Sequence, residues 1–375
     1  MALQTIAVIG GLDVDLIMIT SRIPDRGESV QAIEYREALG GKGANCAVAT
    51  YRACHKKPKR NKEDLNNEQT ASERNIHVKM IGAVGDDEYA DTFITALNQD
   101  GVDTSGIVTV PNTQTSRCFV LLEHPTGENR CLFTPGATAM WKKEDFLSAE
   151  QLGGGIQPDL VVAQMEISTE VVETMIETAG KAGIDFCLNA APATAPIGDR
   201  FYQHLTQLMV NESEAAVLSG RRHRVIEVLN EETWPDVAQE FLDRGIRNVV
   251  ITLGARGAFY ASTKVSCHCP AFDVKVKDTT GAGYANISLP PSVNARAYTD
   301  WGPRGSDNFI GTYAVDYLRQ RARGTWYIRR AVTRATKAAA IKIQSAGAQH
   351  GIPWADEIDV FNAPTKMPSR ARSRM

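Results

Sequence analysis

Short apolar, β-branched runs alternate with helix-length amphipathic stretches along most of this chain, and few folds accept that rhythm. Residues 5–10 (Thr-Ile-Ala-Val-Ile-Gly) form an apolar run ending in Gly10-Gly11, the pattern of a strand buried on both faces. Further strands are expected at 78–84, 160–163, 185–188, 208–210, 248–252 and 272–276. Helices are expected at 44–53, 88–99 and 170–182, and two long ones, 308–321 and 327–344, close the chain. Residues 106–134 are rich in Thr, Val and Phe around a Pro125-Thr126-Gly127 turn and read as antiparallel β. Repeated β-α units of this kind predict a mostly parallel, doubly wound α/β sheet in a single domain over residues 1–365. Residues 55–75 read as a solvated loop insertion, and residues 366–375 as a basic tail.

Composition narrows the function classes. Hydrophobic residues make up 43% of the 375 and charged residues 23%, and the net charge of −3 gives no pull toward nucleic acid or an anionic membrane. No apolar run reaches the ~20 residues of a membrane span, and the N-terminus runs into a strand pattern instead of a signal peptide. The seven cysteines are scattered, and Cys267-His268-Cys269 lacks a second pair at zinc spacing. Reduced thiols in a cytoplasmic protein are the expectation, with the nucleus as the alternative location. Ser373-Arg374-Met375 loosely resembles a peroxisomal signal, and the basic tail is the preferred reading.

Four motifs fall at strand ends, where open α/β sheets bind ligands. Asp13 and Asp15, just beyond Gly10-Gly11, are two apart in extended chain, so both carboxylates are expected on one side, facing the hydroxyls of a polyol. Gly40-Gly41-Lys42-Gly43-Ala44-Asn45 opens a helix whose first amides favour electron-rich groups, and it is not a Walker A loop. Asn211-Glu212-Ser213-Glu214 is either a helix cap or a pair arranging magnesium-bound water near phosphates. Thr252-Leu253-Gly254-Ala255-Arg256-Gly257 follows another strand, where glycines admit a nucleotide. A fifth run, Asp278-Thr279-Thr280-Gly281-Ala282-Gly283, offers free amides for an anion but is followed by Tyr284 where an acid is expected. Asp307-Asn308-Phe309-Ile310-Gly311 resumes the text 23 residues later (Tyr284 to Ser306) and reads as the displaced helix start.

Together these residues resemble the ribokinase (PfkB-type) carbohydrate kinases over about residues 5–362. Gly40 to Asn45 resembles the family's first signature, and Asp278 to Gly283 with Asp307 its second, split in two. Residues 347–354 (Gly-Ala-Gln-His-Gly-Ile-Pro-Trp) are most similar to the ribokinase branch. The resemblance implies a three-layer α/β/α fold with a small β-lid built from segments near 12–40 and 106–134, which often forms a homodimer interface. It implies ATP-dependent phosphorylation of a sugar, D-ribose at its 5-hydroxyl, with Mg²⁺ and K⁺, and another sugar or a nucleoside as the alternative acceptor. Asp13, Val14, Asp15, Gly41, Lys42, Gly43, Ala44, Asn45 and Glu166 would contact the sugar. Asn211, Thr252, Leu253, Gly254, Ala255, Arg256 and Gly257 would border ATP, with Glu214 in the magnesium region. Gly281, Ala282 and Gly283 would form the anion hole and Asp307 the general base. Asp278, Thr280, Lys342, Gly347 and Gly351 would form the monovalent-cation loop, mostly through backbone. Asp13 stands where these kinases usually carry Asn, Cys46 where Gln is common, and Gly351 where a side-chain oxygen is expected.

The interruption at residues 284–306 holds Leu289-Pro290-Pro291 and Trp301-Gly302-Pro303 and shows no apolar periodicity. Its in-frame length fits a translated intron, with a genuine regulatory insertion as the rival. Closing such a loop costs roughly 3 kcal/mol, within a typical stability of about 5–15 kcal/mol. Catalysis is more exposed, because a displacement near 1 Å costs about 10²-fold. A catalytically impaired sugar- or nucleotide-binding protein is therefore the reading from another class.

Overall fold

Gln4–Ile9 (β1) is apolar on both faces because it lies inside a sheet covered on both sides. Ile6 and Val8 enter one core cluster, while Ala7 and Ile9 enter the other. The computed structural model describes residues 3–58, 75–124, 129–220, 232–275, 303–345 and 349–366.

The lid strands Asp13–Thr20 (β2) and Glu34–Gly40 (β3) follow β1, and Lys42–Cys54 (α1) returns the chain to the main body. Next come Ile76–Gly85 (β4), Tyr89–Asp100 (α2), Asp103–Val110 (β5), Ser116–Glu123 (β6) and Asn129–Thr134 (β7). The central α/β units are Leu160–Gln164 (β8), Thr169–Ala182 (α3), Asp185–Asn189 (β9), Asp199–Tyr202 (α4), Gln207–Asn211 (β10) and Glu212–Leu218 (α5). Trp234–Asp243 (α6), Asn248–Thr252 (β11), Ala258–Ser262 (β12) and Ser266–Cys269 (β13) complete the sheet. Pro303–Arg321 (α7), Ile328–Lys342 (α8) and Ala355–Val360 (α9) follow.

The nine-stranded sheet runs β13-β12-β11-β10-β9-β8-β1-β4-β5, parallel from β5 to β11 with an antiparallel β12–β13 edge. One core cluster lies between the sheet and α1, α7 and α8; the other holds apolar residues of α3, α4, α5 and α6. This is the expected three-layer arrangement. A separate sheet, β3-β2-β6-β7, is the lid. In it β2 pairs parallel with β6, while β2–β3 and β6–β7 are antiparallel.

Four details correct the sequence reading. β5 pairs parallel with β4 in the main sheet, so the second lid segment starts at Ser116, not at 106. Of the strand expected at 272–276, the described residues 272–275 do not continue the sheet: only Phe272 bridges, to Thr365. The β12–β13 hairpin was not anticipated. And α7 begins at Pro303, inside the segment read as an insert, so Asp307 sits in its second turn instead of at its start. Proline at a helix start costs no ladder bond, because the first amides have no intrahelical acceptor. Among the described residues no helix is long and apolar enough to cross a membrane.

Candidate active site

The start of α1 is pressed against the bend between β1 and β2. Gly41, its N-cap, has φ +85°, and a Cβ there would lie 2.5 Å from the Gly11 carbonyl oxygen and 2.7 Å from the Asp13 nitrogen. The glycine is needed for contact of backbone with backbone. The orphan amides of this helix start find specific acceptors. Ala44 donates to the Gly11 carbonyl at 3.1 Å, and Lys42 N–H to Glu166 Oε2 at 3.0 Å. Glu166, just past the end of β8, is thereby fixed over the Gly40 to Asn45 run.

Asp13 and Asp15 lie on the same side of β2, as alternation requires, and both are buried. Asp13 is opposite Gly40 and Ser116, and Asp15 opposite Ala38 and Cys118. Asn45 reaches α7: its Nδ2 donates to Asp307 Oδ2 at 3.3 Å, and both residues are buried. Close helix packing makes this contact possible. A Cβ at Gly311 would come within 2.7 Å of the Thr50 nitrogen, so α1 and α7 touch at backbone level. One turn back along each helix, Asn45 and Asp307 meet.

The pocket is acidic and dry enough to disfavour charge. Burial pushes the Asp13 carboxyl well above its usual range, aided by the neighbouring charges of Glu166 and Asp15 and opposed by a Ser116 hydrogen bond and by Lys42. Burial likewise raises Glu166, to about 7, with Asp307 adding and Lys42 opposing. Asp13 Oδ1 and Asn45 Oδ1 are buried with no hydrogen-bond partner among the described residues. Such groups are costly unless a polar ligand meets them. Val14 turns into the core, and Gly43 and Ala44 contribute backbone alone.

Farther along the same sheet edge, the cap reading of Asn211 and Glu214 is realised. Asn211 Oδ1 accepts from Glu214 N–H at 2.8 Å, and the Glu214 carboxylate takes the Asn211 amide N–H at 2.8 Å and its Nδ2 at 3.0 Å. Thr252 ends β11 with its hydroxyl 3.4 Å from the Val210 carbonyl oxygen. Leu253 is buried in the core, and Gly254–Arg256 forms a tight turn closed by the Leu253 N–H to Gly257 carbonyl bond of 2.8 Å. Arg256 is held by an ion pair to Glu212 and lies over the Trp234 ring, so it is a wall of this side and not a loose cation. Gln164 and Asn189, side by side at the ends of β8 and β9, were missed in the sequence. Both are buried, and Gln164 Oε1 and Nε2 and Asn189 Nδ2 have no partner among the described residues. A polar residue closing an apolar strand was the signal available for them.

Asp278, Thr280, Gly281, Ala282, Gly283 and Gly347 lie outside the described residues. Of the expected cation loop, Lys342 is buried at the end of α8, and its carbonyl accepts the Ser345 amide at 3.0 Å. Gly351 has φ +82°.

The profile of the pfkB family carbohydrate kinases matches residues 3–285. The chain belongs to that family. The match ends at the second residue of the interruption, where the signature is broken. This pfkB kinase is a phosphotransferase of the sugar-kinase class. It is 29% identical over 358 residues to a ribokinase of Schizosaccharomyces pombe, covering 94% of this chain and 96% of the relative. It is equally similar, 29% over 361 residues, to a deoxyribokinase of Salmonella typhi, covering 95% and 97%. The crystal structure of a Thermotoga maritima ribokinase aligns with a TM-score of 0.72 at 28% identity, covering 95% of this chain and 98% of the other.

Proposed function

We propose that this pfkB kinase transfers the γ-phosphoryl group of ATP to the 5-hydroxyl of D-ribose, giving ribose 5-phosphate and ADP. The observation that carries the reading is the buried meeting of Asn45 with Asp307 beside Asp13, Asp15 and Glu166. A sugar with several hydroxyls would satisfy the Asp13 and Asn45 oxygens that no protein group meets among the described residues. Asp307 would take the proton of the attacking hydroxyl, a general-base role worth roughly 10²–10⁴ in rate. Asn45 would hold the Asp307 carboxylate toward that hydroxyl. The Gly281, Ala282 and Gly283 amides are assigned to the developing phosphoryl charge on the resemblance alone.

On the nucleotide side, the Gly254–Arg256 turn and Asn211 would border the phosphates. Mg²⁺ at such sites is bound through one or two carboxylates plus substrate phosphates. Glu214 supplies one oxygen-ligand carboxylate at the right sheet edge, already oriented by Asn211, so the residues fit; bound there, the ion would neutralise phosphate charge. K⁺ in the loop near Lys342 and Gly351 belongs to the proposal on the resemblance.

A homodimer through the lid is also proposed. Met18, Tyr35, Phe119 and Leu132 are exposed, and cross-strand pairing puts Met18 beside Tyr35 and Phe119 beside Leu132 on one face. Apolar patches of this kind mark interaction surfaces.

A second acceptor, 2-deoxy-D-ribose, is favoured by the equal identity to a deoxyribokinase. Steady-state ADP release with D-ribose, 2-deoxy-D-ribose, fructose and adenosine tests the assignment. The highest kcat/KM is expected for D-ribose, and preference for any of the others would replace it.

A further inference from the structure

At the opposite end of α1 and α7 from the sugar side lies a cavity of about 280 Å³, reached also by α8 and α9. Five cationic side chains line it, Lys56, Arg319, Arg323, Arg330 and Arg334, against three carboxylates. The carboxylates already have partners. Asp316 receives Gln320 Nε2 at 3.4 Å and lies 3.8 Å from Arg330, Asp359 takes Arg334 Nε at 2.9 Å, and Asp356 accepts the Lys57 amide at 3.0 Å.

The arginines are only partly used. Arg319 and Arg334 donate to the carbonyls of Cys54 and Ala53, at 3.0 and 3.1 Å, and so close the C-terminal end of α1. Capping consumes one nitrogen of each. Arg319 Nε and Arg334 Nη1 remain buried without a hydrogen-bond partner among the described residues. A buried guanidinium donor left unmet is unfavourable, and a fork of such donors matches a tetrahedral oxyanion. The lining carries two more positive than negative groups, the balance a doubly charged anion would neutralise. A neighbouring groove of about 510 Å³ shares Arg330, Arg334 and Asp359 with the cavity and adds Tyr327, Thr333 and Lys337. It gives room for an organic body attached to the anion.

We propose that this cavity binds a small phosphorylated anion, its phosphoryl oxygens taken by Arg319, Arg334 and Arg323 and any organic body lying along the groove. The site is separate from the nucleotide side of the sheet and does not depend on which sugar the kinase takes.

Calorimetric titration of the full chain with inorganic phosphate, and separately with glycerol 3-phosphate, tests it. The Arg323→Ala/Arg330→Ala variant should bind about tenfold more weakly or worse, the loss of a charge-assisted hydrogen bond. Asn211→Ala, at the other end of the molecule, should bind as the parent does. If the double variant does not fold, Arg323→Ala alone is read instead, with Arg323→Lys expected to restore most of the affinity. Tighter binding of glycerol 3-phosphate supports an organic phosphate as ligand, and equal affinity supports recognition of the oxyanion alone. Absence of binding to the parent chain, or a loss in Asn211→Ala with the arginine variants unaffected, would overturn the proposal.

Discussion

Asn45 and Asp307, 262 positions apart in sequence, meet through a hydrogen bond of 3.3 Å between the first turn of α1 and the second turn of α7. That contact joins the Gly40 to Asn45 run to Asp307, the residue that 23 positions separate from the Asp278 to Gly283 run. The expected consequence is direct: Asp307→Asn lowers kcat by about 10²–10⁴ while D-ribose binding, read by calorimetry, changes little. A kcat within tenfold of the parent would remove Asp307 from the base role.

The Gly311 contact with Thr50 sets this geometry from a distance. Gly311→Val should push α7 from α1, destabilise the protein by about 1–3 kcal/mol and lower kcat more than it raises the KM for ribose. Chemical denaturation and steady-state kinetics on one preparation check both. Unchanged kcat in a destabilised variant would show that helix spacing does not position Asp307.

Gly41→Ala should be worse for folding. The new Cβ meets the Gly11 carbonyl and the Asp13 nitrogen, and φ is +85°. A loss of about 2–4 kcal/mol is expected, measured as the shift of the urea midpoint.

Glu166 makes stability depend on pH in a defined window. Its carboxyl releases a proton near 4.5 when solvated but only at about 7 in the fold. Between those values the folded chain holds more protons than the unfolded one, so this contribution is complete below the lower value and is lost as pH rises through the upper. Asp13, raised in the same direction, adds to the trend. Glu166→Gln should flatten the fall in stability between about pH 5 and pH 7. An identical slope in the variant would show that Glu166 is not the titrating group.

The lid face gives an expectation about assembly. Phe119→Arg, placed beside Leu132 on the exposed side of β6, should convert a dimer into a monomer in light scattering without unfolding the main sheet. A parent chain that is monomeric at tens of micromolar would refute the lid interface.

Much of this was legible in the residues because strand ends in parallel sheets are marked by glycine and polar residues. Asp13, Asp15 and the Gly40 to Asn45 run were placed by alternation and by a helix start, and the fold places them together. The errors have physical causes. β5 looked like lid because its Thr and Val pattern suits either sheet, and only pairing with β4 decides. β12 and β13 form an antiparallel edge hairpin whose Cys-His-Cys text drew attention to metals, whereas His268 contacts the Arg256 carbonyl oxygen at 2.7 Å. The start of α7 at Pro303 was hidden by reading that proline as part of a break. The Arg319 and Arg334 bonds to the end of α1 join residues some 265 and 281 positions apart, and no local pattern announces them.

The proposed activity is ribose-dependent phosphoryl transfer centred on Asp307 and weakened by the interruption. ADP release with D-ribose, Mg²⁺ and K⁺ should be measured on the full chain beside a version lacking Tyr284 to Ser306. Ribose-dependent release is expected, faster in the shortened protein by about 10²-fold, the cost of a displacement near 1 Å at the reacting centre. Equal rates would show the segment to be a tolerated loop. Absence of ADP from both proteins, each shown to be folded, would contradict the proposed activity.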